Sequence, residues 1–151
     1  MARTTMLRAQ TAAAEAMIDR ILIAIDGYRG DASAYSLSLD LARLAGVLRI
    51  HFSLGDRHLY PFMIASGESG IAEIARYFQR EICDLARCFE QFMQRWSTSS
   101  AIASDVDQFG REAGILFSAL RDRFQRERRE LYPLAEALAN QRNGTAASRA
   151  A

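Results

Sequence analysis

Residues 44–61 read LAGVLRIHFSLGDRHLYP and residues 116–133 read LFSALRDRFQRERRELYP. Laid one on the other without a gap, they match Leu44 with Leu116, Leu48 with Leu120, Arg49 with Arg121 and Phe52 with Phe124, and both close on Leu-Tyr-Pro, at Leu59-Tyr60-Pro61 and Leu131-Tyr132-Pro133. Apolar residues at three- and four-residue steps make a helix of each copy. Matched leucines alone are what any two amphipathic helices would give. A proline within a helix costs about 3 kcal/mol, so the same proline behind the same two residues marks a structural unit that is present twice.

Outward from the repeat the apolar spacing stays helical, with no alternating run that would make a strand and only two prolines in the chain. The first helix is predicted from about Thr4 to Gly27, burying Met6, Ala13, Met17, Ile21 and Ile25, with Gly27-Tyr28-Arg29-Gly30 as its breaker. The second, capped by Asp31 or Ser33, turns Leu37, Leu41, Leu44, Leu48, His51 and Leu59 inward and closes near Ser66, Gly67 and Gly70. The third buries Ile71, Ile74, Phe78, Ile82, Leu85, Phe89 and Phe92 and ends around Trp96. After a serine-rich link the fourth starts at or before Asp105, buries Val106, Phe109, Ala113, Leu116, Leu120, Phe124 and Leu131, and fades near Asn140. Long helices with short links predict an all-α, antiparallel up-down-up-down four-helix bundle over residues 1–140, with 141–151 as a flexible tail.

Half of the 151 residues are hydrophobic, ample for one core. With 19 basic and 18 acidic residues the formal charge is +1, so no strong overall field draws in nucleic acid or an anionic membrane. Every base other than histidine is arginine, which identifies no function. The apolar stretch Ile21 to Ile25, flanked by Asp19 and Asp26, is too short for a membrane span or a signal peptide, which makes a cytoplasmic protein the expectation. Cys83 and Cys88 stand five positions apart, on different sides of a helix, and are expected as buried, inert thiols without a disulfide. The arginine-dense run 121–130 interleaves acids with its bases, so it reads as a salt-bridged face in which Arg126 pairs with Asp122 or Glu130. Tyr60 and Tyr132 read as shaping the helix bend beside their prolines.

The repeated phrase resembles the hemerythrin, or HHE cation-binding, family, which places a His-x-x-x-Glu unit shortly before Leu-(Tyr/Phe)-Pro in its second and fourth helices. The resemblance runs roughly from Ile18 to Leu138. It implies a bundle in which His and Glu, four positions apart on one helix face, point at a di-iron centre. Carried over, the first unit offers His51 with Gly55 at the carboxylate position, and the second offers Arg123 at the histidine position with Glu127. The family also draws histidines from its first and third helices, and the corresponding stretches here, about Ala16 to Asp19 and Tyr77 to Phe78, contain none. A guanidinium is permanently protonated and has no lone pair for a metal.

The expectation is therefore a degenerate ligand set and no cofactor, iron being the alternative if His51, Glu127 and His58 hold a metal. In its place His51, Arg123 and Glu127 converge as a polar core, with Gly55 leaving room for the arginine stem. The trio reads first as a structural plug; the sharper readings are an anion or small-ligand pocket between helices, or pH sensing by His51. The function expected is non-enzymatic: a regulatory module binding a protein partner or small ligand, in signalling, against an iron-based oxygen or redox sensor. A homodimer through an exposed apolar helix face is compatible with either.

Overall fold

The computed structural model describes residues 2–150. Met1 and Ala151, which end the expected bundle and tail, lie outside the described residues, as does the side chain of Arg3. The helices are α1 (Ala2–Asp26), α2 (Asp31–Leu54), α3 (Tyr60–Ile64), α4 (Ser69–Trp96), α5 (Ser99–Ser104), α6 (Val106–Arg126) and α7 (Tyr132–Arg149). Single π-helical turns, Gly55–Leu59 and Glu127–Leu131, join α2 to α3 and α6 to α7, and no strand occurs among the described residues. The direction of packing is written in the ion pairs. Along α1, Arg8, Glu15 and Asp19 meet Glu136, Arg128 and Arg121 in falling order, and along α4, Glu81 and Arg95 meet Arg126 and Glu112. Both series are antiparallel.

Local chemistry sets the helix ends. Gly30 and Gly67 take φ of 87° and 83°, a region that favours glycine, in the links that lead into α2 and α4. Thr98 caps α5 by accepting from the Ala101 amide, and Asp105 caps α6 by accepting from the Gln108 amide, so the fourth helix begins only after a short extra turn. Neither Asp31 nor Ser33 caps α2: its N-cap is Gly30, and Ser33 instead accepts from the Arg29 amide.

The two π turns are the structural form of the repeat. Tyr60 N–H reaches Gly55 O and Tyr132 N–H reaches Glu127 O, each spanning five residues. Pro61 and Pro133 follow directly. In an unbroken α-helix a proline ring collides with the carbonyl four residues back; one wide turn before it removes the collision without ending the helix. The turn also swings Tyr60 and Tyr132 into the core, where they are 2% and 0% exposed.

Most expected core positions in α2, α4 and α6 are buried, and the exceptions are instructive. In α1 the buried stripe is Thr4, Leu7, Thr11, Ala14, Ile18 and Ile21; Met6 and Ala13 face solvent. Alanines on all sides leave little hydrophobic contrast, and Thr11 is tolerated inside because its hydroxyl donates to Arg8 O at 2.9 Å. Ile74 is exposed, with Ala72 and Ala75 packed instead. Cys83 and Cys88 are free and exposed rather than buried, because they flank the Phe78, Ile82, Phe89, Phe92 stripe on its solvent sides. Residues 141–149, expected as a tail, continue α7 as helix with every side chain exposed. No helix is long and apolar enough to cross a membrane among the described residues.

Candidate functional site

The apolar core falls into two clusters, one around Leu41, Leu44, Phe117 and Phe124 and one around Leu59, Phe78, Leu131 and Tyr132. Where they meet lie the buried charged and polar groups His51, Arg123 and Glu127, which are 4%, 0% and 2% exposed. Sequence reasoning brought these three together, and the structure does the same. His51 comes from the last turn of α2, Arg123 from the last turn of α6, and Glu127 opens the second π turn.

Arg123 donates from all three of its guanidinium nitrogens. Nε donates to Glu127 Oε1 at 2.9 Å, one NH group to Phe78 O at 2.6 Å and Glu81 Oε1 at 3.2 Å, and the other to the Tyr60 hydroxyl at 2.6 Å. Its guanidinium carbon lies 4.6 Å from the Phe78 ring centroid. Glu127 is equally engaged: Oε2 accepts from the Tyr132 hydroxyl at 2.7 Å and lies 3.2 Å from His51 Nε2. The other His51 nitrogen faces Gln10 Oε1 at 3.3 Å. The Glu127 carboxylate only accepts, so Nε2 carries the proton toward it, and the Gln10 amide can present its NH₂ to a bare Nδ1 or its oxygen to a protonated one. The imidazole edge rests on Phe52 and Phe124.

Burial is the largest influence on Glu127 and by itself would push its carboxyl up; contacts from His51, Arg123 and Tyr132 outweigh it and hold the group below its ordinary 4.5. Burial pushes the Tyr60 and Tyr132 hydroxyls up, so both stay protonated, Tyr132 donating to Glu127 and Tyr60 accepting from Arg123. Among the described residues no buried side-chain nitrogen or oxygen lacks a hydrogen-bond partner.

Several contributors were not evident from sequence. The residue of α1 that reaches the site is Gln10, well before the stretch Ala16 to Asp19 that corresponds to the family's ligand position. From α4 come the Phe78 carbonyl and, one turn on, Glu81, which also binds Arg126; Arg126 thus pairs across helices and, among the described residues, with neither Asp122 nor Glu130. Tyr60 and Tyr132 do more than shape a bend, since one hydroxyl serves the cation and the other the anion. Gly55 leaves room not for the arginine stem but for Tyr60, whose ring carbon would sit 3.1 Å from a Cβ there. His58 is exposed and does not join His51 and Glu127.

Bundle and π-turn pair together define a helical domain built to gather side chains from four directions onto one buried point. The family model described as hemerythrin HHE cation binding domain matches residues 3–135, and the chain belongs to that family. No curated protein and no solved structure gives a match. The residues present do not fit the family's metal centre. The histidine position of the second unit holds a guanidinium whose three nitrogens are all hydrogen-bonded, the carboxylate position of the first is Gly55 packed on Tyr60, and no group of three or more His, Cys, Asp or Glu converges among the described residues.

Proposed function

We propose that this HHE domain works without a metal and without catalysis, as a cytoplasmic regulatory module whose scaffold binds a protein partner or small ligand. The observation that carries the reading is the site of Arg123. Its permanent charge is neutralised by Glu127 and Glu81 and each of its three guanidinium nitrogens donates, so the internal cation does the structural work of drawing α3, α4 and α6 onto one point. A second cation at that point would meet a like charge in a poorly solvated core. Signalling suits such a domain better than turnover, because the reactive inventory its family uses is replaced by groups held in stable pairs. The test is elemental analysis and a visible spectrum of protein purified without chelator. Sub-stoichiometric iron and no charge-transfer band are expected; one or two irons per chain with such a band would overturn the reading in favour of an oxygen or redox sensor.

A further inference from the structure

The outer side of α6 is complementary to itself. Arg111 and Asp122 stand about three turns apart on one face, both exposed. Neither has an ion-pair partner among the described residues: Arg111 donates to the Gln108 side-chain oxygen at 2.8 Å, and Asp122 meets no cation. Midway between them Ile115 is 75% exposed, beside the small, exposed Gly114 and Ser118; a Cβ on Gly114 would meet nothing. Alongside runs a groove of about 420 Å³ between α4 and α6, lined by Leu85, Cys88, Phe92, Leu116 and Ala119 with Ile115 on its edge. Ion pairs Arg95 to Glu112 and Arg126 to Glu81 tie the two helices together at its ends.

We propose that this face receives a second copy of the chain, with α6 of each lying antiparallel against α6 of the other about a two-fold axis level with Leu116 and Phe117. In that register Arg111 of each copy faces Asp122 of the other, giving two identical ion pairs, one at each end of the contact. Ile115 of each meets Ser118 and Ala119 of the other, so a projecting side chain enters the margin of the opposite groove. Charges of opposite sign at two-fold related positions around an apolar centre are what self-association requires, and an unrelated partner would not. A parallel arrangement would instead set Arg111 on Arg111. Arg123 and Glu127 point inward from the same segment, so the proposal stands apart from the metal question.

Sedimentation equilibrium of the full chain over a concentration series tests it. The wild type is expected to dimerise. Arg111→Asp and Asp122→Arg, each placing like charges together at both contacts, are expected to weaken self-association on the order of 10-fold or more while leaving the thermal melt of the protomer in place. An equimolar mixture of the two variants restores attraction at both contacts and is expected to dimerise as the wild type does. A wild type that stays monomeric, variants that dimerise undiminished, or a mixture that fails to recover would each overturn the proposal.

Discussion

At Arg123 and Glu127 the two charges depend on each other for burial. Glu127→Ala leaves a 0%-exposed guanidinium with a missing counter-charge and orphans the Tyr132 hydroxyl, which is expected to cost about 3–5 kcal/mol in urea denaturation. Replacing both partners by leucine removes the charge penalty, but the Tyr60 hydroxyl and the Phe78 carbonyl then lose their donor and the Tyr132 hydroxyl its acceptor, at roughly 1–3 kcal/mol each. Adding Tyr60→Phe and Tyr132→Phe to that double variant is expected to recover part of the loss; no recovery would mean that the hydroxyls are not part of the network. His51, Arg123 and Glu127 were legible because the repeat fixed their register. Gln10 and Glu81 were not, since a polar residue on a helix reveals its partner only when the neighbouring helix is in place.

Among the elements, the π turns decide which glycine matters. Gly55 lies under the Tyr60 ring, and an added Cβ would sit 3.1 Å from its Cε2; Gly55→Ala is expected to push the ring off Arg123 and cost about 1–3 kcal/mol. Gly46, exposed in the middle of α2, meets nothing, and Gly46→Ala is expected to stabilise by about 0.5–1 kcal/mol through helix propensity. Thermal or urea midpoints of the two single variants give the comparison, and shifts of the same sign would refute the packing argument. Helix class and order could be read from period and breakers. The wide turns could not, because a proline in sequence announces a break in hydrogen bonding and not how the chain relieves it. The register of α1 was lost where alanines erase the contrast on which the reading depends.

For the molecule as a whole, the buried carboxylate links stability to pH. Glu127 is held below its ordinary value, and Glu81 likewise, where burial opposes and the bonds from Arg126 and Arg123 prevail. The stability each contributes is complete above about the ordinary 4.5 and is lost as pH falls through the depressed value in the fold. Urea midpoints of wild type and Glu127→Gln are therefore expected to lie well apart near neutrality and to converge in acid. A gap that stays constant down to the acid limb would show that the carboxyl does not titrate as the packing demands. The wrap of four antiparallel helices followed from length and periodicity, whereas the helical course of 141–149 did not, since a polar, alanine-containing stretch gives no core face to read. The cation at the centre has one further consequence. It arrives with the polypeptide, in a fixed ratio of one per chain, so under the metal-free function proposed above maturation has no loading step. Synthesis under iron starvation should yield the same folded product as synthesis under iron excess, with no immature pool awaiting delivery.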